Sequence, residues 1–287
     1  MPTASGRPFK ALAKMRAMPM MRWILALMLL AGALAAPVRA EAGKSVFLEE
    51  LTWTELRDRI QAGATTVIVP VGGTEQSGPQ IALGKHNVRA RALAGMIAES
   101  LGNALVAPVV AYVPEGSIEP PAGHMRFPGT ISIPEGAFET TLEYAARSFR
   151  RHGFRDVVLI GDHGGYQKSL VRVAARLNRE WAGGAVRVHA VEEYYKAADA
   201  DYAQWLRAHG FRDAEIGTHA GLADTSLSMA VDPRLVRTER LQSGPPPGPG
   251  EGVHGDPRRS SVEAGKGGVD LIVARARDAI RKDVARP

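Results

Sequence analysis

An α/β fold, with a mostly parallel central sheet between two layers of helices, is predicted by two observations. Short apolar runs recur along the chain ("TTVIVPV", "ALVAPVVAYV", "DVVLIGD", "AVRVHAVEEYY"), and stretches with helical spacing of apolar residues separate them. Strands that are apolar on both faces need cover on both, and crossover helices of a parallel sheet supply it.

The elements follow in order. "FLEELTWTELRDRIQAG" spaces Phe47, Leu51, Trp53, Leu56 and Ile60 as a short helix, with Thr52 or Thr54 as its cap and Gly63 closing it. "TTVIVPV" is the first strand, "VRARALAGMIAESLG" a helix and "ALVAPVVAYV" the second strand. "PEGAFETTLEYAARSFRRHG" is a helix with Pro134 near its first turn and Gly153 past its end. "DVVLIGD" is a third strand, "QKSLVRVAARLNREWAGG" a helix and "AVRVHAVEEYY" a fourth strand. Residues 243–252, "SGPPPGPGEG", can form neither helix nor ladder and read as a loop, and an amphipathic run from Ser261 to Lys282 follows it. Too few residues lie beyond that loop to enclose a second core, so residues 41–287 are expected to form one domain.

Residues 1–40 read as a signal peptide: Arg22 precedes "WILALMLLAGALAA", and Val38 and Ala40 fit a cleavage site. The apolar stretch is shorter than the roughly 20 residues a membrane span needs. The expected product is therefore exported, periplasmic or secreted, with no membrane span after cleavage. The leader holds Arg7, Lys10, Lys14, Arg16, Arg22 and Arg39 and no acidic residue, so its removal leaves 30 Lys and Arg against 30 Asp and Glu. A neutral mature chain lacks the electrostatic footprint of a nucleic-acid binder. With no cysteine, disulfides, thiol catalysis and Cys-ligated zinc are excluded.

Ligands of open α/β sheets bind beyond the carboxyl ends of the strands. "TTVIVPV" runs into "GGTEQSG" and puts Glu75 there; "DVVLI" runs into "GDHGGYQ" and puts Asp162 and His163 there. "GTHAGLADTS" adds His219 and Asp224. Taken singly, each could be a cap or a satisfied polar residue.

The blocks "VPVGGTEQSGPQIALGKHN", "GHMRFPGTISI", "LIGDHGGYQKSL", "THAGLADTSLSM" and "GVHGDPRRSSVEAGKGG" occur in the order, and roughly with the spacing, of the creatininase (creatinine amidohydrolase) family, which the chain resembles over most of residues 45–280. The resemblance implies a three-layer α/β/α fold, a homo-oligomer, and a divalent metal centre that activates water against a C–N bond of a small-molecule substrate, a cyclic amide or related formamide. It implies Glu75 and His163 as metal ligands, His219 as the group that handles the proton, and Asp224 where the family usually has Glu. Where the family commonly reads "EQHGPHLPLGTD", Ser77 replaces a His ligand and His86 takes the place of an Asp that bridges two metals. An imidazole cannot clamp two ions as a carboxylate does. One ion per chain (Zn, Mn or Fe) is therefore expected, held by Glu75, His86, His163 and Asp224, with Glu75 and His219 as the catalytic residues. His124 and Tyr166 are candidate substrate contacts, while Asp162 and Ser77 are expected behind the ligands. The altered ligands leave open a non-catalytic binding protein with a degenerate metal site, or a single-metal enzyme of other chemistry such as a lactonase.

Overall fold

A computed structural model describes residues 45–242 and 244–285, all within one compact unit. The signal peptide read at residues 1–40 lies outside the described residues. Helix α1 is Trp53–Gln61, and its entry carries the capping box the sequence allows, Thr52 accepting from Glu55 N and Glu55 accepting from Thr52 N. Four strands follow, β1 (Thr66–Val71), β2 (Ala104–Val106), β3 (Asp156–Gly161) and β4 (Arg187–Ala190), all parallel in the order β2-β1-β3-β4. The helices between them are α2 (Lys85–Leu101), α3 (Glu135–Arg151) and α4 (Gln167–Glu180). Beyond β4 come α5 (Glu192–Lys196), α6 (Tyr202–Ala208), α7 (Asp213–Ile216), α8 (Leu222–Val231), α9 (Glu239–Gln242) and α10 (Val262–Val284).

Alternate strand residues feed two cores. Ile68, Val106, Val158 and Ile160 pack with Leu93 and Ile97 of α2 and with Ile272, Ala276 and Ile280 of α10. Val67, Val69, Leu105, Val157, Leu159 and Val188 pack with Phe138 and Leu142 of α3 and with Leu170, Val173 and Leu177 of α4. Each such side chain contributes about 1.5–3 kcal/mol by leaving water, which is what holds the three α/β/α layers together.

Two apolar runs are used less than their length suggests. Of "ALVAPVVAYV" only Ala104–Val106 is strand; beyond it Ala107 N and Val110 N still donate to the β1 carbonyls of Ile68 and Pro70, and the chain bulges between them at Pro108 and Val109. Of "AVRVHAVEEYY" only Arg187–Ala190 is strand, and the acidic pair Glu192 and Glu193 opens α5. Pro70 sits inside β1, and its carbonyl accepts from Val110 N at 3.0 Å, on the side where β2 has ended. The missing donor thus faces a gap in the ladder.

Helix α10 packs closely on α8 because it presents glycine there. A Cβ on Gly265 would strike the Ser226 backbone carbonyl, whereas one on Gly136, in the first turn of α3, would meet nothing. Gly265→Ala is therefore expected to destabilise the protein by about 1–3 kcal/mol, and Gly136→Ala to leave it unchanged or slightly more stable. Urea melts of the two variants compare them; equal midpoints would contradict this account of the α8–α10 contact.

β1 lies between β2 and β3, so the chain crosses to one side after β1 and to the other after β2. This reversal opens a crevice at the carboxyl ends of β1 and β3.

Candidate metal centre

The loop after β1 delivers Glu75 into that crevice. Gly73, at φ +150°, turns beneath the start of α2, where its N–H donates to Asn87 Oδ1 at 2.9 Å; a side chain there would also strike Glu115. Glu75 is fully buried and is ringed by imidazoles. Its Oε1 accepts from His86 Nε2 at 2.8 Å and lies 3.6 Å from Lys85 Nζ and 3.7 Å from His219 Nδ1. Its Oε2 makes no hydrogen bond, yet faces His124 Nε2 at 3.3 Å and His163 Nε2 at 3.6 Å. Burial pushes the Glu75 carboxyl up, but the His86 hydrogen bond and the charges of His86 and Lys85 outweigh it and hold the group well below its ordinary range.

Glu75, His124 and His163 each offer a ligand atom within 4.8 Å of one another. Two donors held 2.0–2.2 Å from one ion in tetrahedral geometry stand about 3.3–3.6 Å apart, so the orphaned Oε2 and the two facing nitrogens suit a divalent ion of borderline softness. Burial, above all, lowers His163 to about 4, which keeps its ring neutral and able to ligate.

The other residues named from sequence fall around this trio. His86 reaches the centre, but its Nε2 meets Glu75 and its Nδ1 meets Asp162 Oδ2 at 2.6 Å, so neither nitrogen has a free lone pair for a metal. Asp224, expected among the ligands, is occupied by Lys85 Nζ at 3.0 Å, Arg89 Nη1 at 3.1 Å and Ala220 N at 2.9 Å. Tyr166, expected against substrate, is buried instead. Its hydroxyl donates toward the carbonyls of Val71 and Gly72 and accepts from the N–H groups of Asp162 and His163, pinning the ends of β1 and β3 together. His124, expected against substrate, stands among the candidate ligands. Asp162 lies behind the trio, accepting from His86, from Arg89 Nε at 2.8 Å and from the Tyr194 hydroxyl at 2.7 Å. Ser77 is buried with its hydroxyl unpartnered.

Glu115 was not singled out from the sequence. Its side chain is buried with both oxygens unpartnered, and Oε2 is 3.6 Å from His163 Nδ1. Burial and then the neighbouring Glu75 raise its carboxyl to about 9. It follows the apolar run "ALVAPVVAYV" as Glu75 follows "TTVIVPV", so the strand-end rule, applied to that run as well, would have found it.

Matching the family model described as "Creatininase: Creatinine amidohydrolase" takes in residues 49–280. The chain belongs to the creatininase family. It is similar to the "Creatinine amidohydrolase" of Pseudomonas putida, at 30% identity over 84% of this chain and 98% of that one. It also resembles the "Mycofactocin precursor peptide peptidase" of Mycolicibacterium smegmatis, at 33% identity over 62% of each chain. A solved structure described as "Creatininase Mn" matches with a TM-score of 0.70 at 29% identity, and a creatininase described as of Zn-Zn type with 0.68 at 30%, each over 85% of this chain and all of the other. Family, fold and trio together make the protein a metal-dependent amidohydrolase of the creatininase type.

Within the creatininase frame, Gln76 and Glu115 face the outer nitrogens of the two candidate histidine ligands. Gln76 Nε2 is 2.8 Å from His124 Nδ1 and donates to the Gly252 carbonyl at 3.2 Å. Ligation through Nε2 leaves each ring's proton on Nδ1, which then needs an acceptor. Glu115 Oε2 stands 3.6 Å from His163 Nδ1, which accepts from Gly165 N at 3.3 Å, and the Gln76 amide serves His124 after a half-turn that brings its oxygen to the ring, at the expense of its Gly252 and Gly78 bonds.

The cleft over the centre is about 200 Å³, lined by Lys85, His124, His163, Tyr195, His219 and Asp224 among others. No helix among the described residues is long and apolar enough to cross a membrane.

Proposed function

We propose that this protein hydrolyses an amide-type C–N bond of a small substrate, cyclic or linear, with one divalent ion held by Glu75 Oε2, His124 and His163. The observation that carries this reading is the buried, unpartnered Glu75 Oε2 facing two imidazole nitrogens at 3.3 and 3.6 Å. When bound, the ion supplies a positive charge that acidifies water and polarises an amide carbonyl.

The chain's own groups do the rest. His219 Nε2 lies 3.0 Å from the Gln76 carbonyl and donates to it, which leaves Nδ1, on the Glu75 side, as the bare nitrogen. Burial, and then the charge of Lys85, lowers His219 to about 4, so the ring is neutral at pH 7 and its Nδ1 takes a proton from water and returns it to the leaving nitrogen. A cleft of about 200 Å³ favours a small molecule over the peptide that the mycobacterial relative's name indicates. Zinc and manganese both suit the one carboxylate and two imidazoles.

The basic, apolar leader supports export to the periplasm or medium, and the family resemblance supports a homo-oligomer. A mature chain beginning near Glu41 in the periplasmic fraction is the expected result; retention of the whole chain in the cytoplasm would refute export.

The test is to strip the purified protein with a chelator, restore zinc or manganese, and assay lactams, formamides and lactones. Activity is expected to vanish on stripping, return with the ion, and be greatest on a small amide. Preference for a lactone, or activity indifferent to the chelator, would overturn the proposal. Protonated His163 cannot ligate and protonated His219 cannot accept, and both titrate at about 4. In the metal-free protein both rings are therefore expected to stay neutral from pH 7 to about 5, read by an NMR titration of the histidines; protonation of either ring near pH 6.5 would contradict their buried, neutral state.

A further inference from the structure

Three basic side chains crowd the floor of the centre from the first two turns of α2. Lys85, His86 and Arg89 are all buried, at 0%, 3% and 3% exposure. A buried charge persists only when paired. Lys85 pairs with Asp224 and approaches Glu75; His86 bridges Glu75 and Asp162; Arg89 bridges Asp162 and Asp224. Both His86 nitrogens face carboxylate oxygens at hydrogen-bond distance, Nε2 at Glu75 Oε1 and Nδ1 at Asp162 Oδ2, and Arg89 Nη2 also lies 3.3 Å from Nδ1. Three carboxylates, Glu75, Asp162 and Asp224, are thus met by three basic side chains.

A creatininase of Zn-Zn type shares this fold. Against the family's pattern, Ser77 stands at a His ligand and His86 at the bridging Asp. Here the Ser77 hydroxyl is buried without a partner, and Glu75 Oε1, the oxygen turned away from the candidate trio, is filled by His86. Positions 77 and 86 thus offer a second ion neither a His donor nor a bridging carboxylate.

We propose that Lys85, His86 and Arg89 replace the second metal ion of two-zinc relatives, so that basic side chains occupy the place that ion would take. The proposal rests on the one-ion reading above. The built-in charge cannot be chelated away, and Glu75 Oε1 stays fixed, so that Oε2 alone serves the single ion.

The experiment is zinc content after equilibrium dialysis for the full chain and for Ser77→His/Lys85→Thr/His86→Asp, which restores the family's residues at those positions, with circular dichroism confirming that the variant folds. Expected are one zinc in the wild type and two in the variant. Two in the wild type, or one in both, would overturn the replacement, the latter leaving the one-ion centre standing. None in the wild type would overturn the one-ion centre and with it the replacement that rests on it. Manganese titration of the wild type needs no variant: an isolated-ion spin-resonance spectrum at excess metal is expected, and a spin-coupled pair would refute the proposal.

Discussion

His163→Ala is expected to release the ion and to reduce hydrolysis far more than the roughly 10–100-fold that losing an outer partner of a ligand costs. His163 Nε2 faces the unpartnered Glu75 Oε2, and removing it leaves one imidazole and one carboxylate, too few to hold zinc or manganese against water. Glu115→Gln keeps the shape and, because burial and Glu75 raise that carboxyl to about 9, removes no charge at pH 7, so its effect should stay at or below the 10–100-fold range. Metal content and rate measured together separate the two. If His163→Ala keeps both its metal and its rate, the trio is not the centre.

Arg89→Met is expected to cost about 3–5 kcal/mol of stability, the usual penalty for removing one partner from a buried ionic network. Arg89 satisfies Asp162 and Asp224 together, and its loss leaves both carboxylates buried without their guanidinium partner. Arg172, half exposed against Glu135 and Glu139, is the contrast: Arg172→Met should cost less than about 1 kcal/mol. Denaturant midpoints of the two variants provide the comparison, and an Arg89 effect as small as that of Arg172 would show that the network contributes little.

The layers and strand ends were legible because continuous apolar runs admit only a covered sheet, and a covered parallel sheet places its chemistry where β1 and β3 end. Glu75, Asp162 and His163 are found there for that reason. The division of labour among the polar residues was not legible. Whether an imidazole ligates depends on what its second nitrogen meets, and His86 meets Asp162, which lies 76 residues away in the chain. Asp224 looks like a ligand until Lys85 and Arg89 are seen to fill it, and those contacts span more than 130 residues. Tyr166 follows a His-Gly-Gly turn and suggests a pocket wall, but the turn points its hydroxyl back at the β1 carbonyls. His124 sits in a short 3-10 turn, Gly123–Arg126, that no periodicity marks, and only the folded chain brings it to Glu75.

The most direct test is a crystal of the zinc-loaded protein measured at the zinc absorption edge. One anomalous peak per chain is expected, about 2.0–2.2 Å from Glu75 Oε2, His124 and His163, with His86 still between Glu75 and Asp162. A peak coordinated by His86 or Asp224, or a second peak beside Glu75 Oε1, would contradict the account.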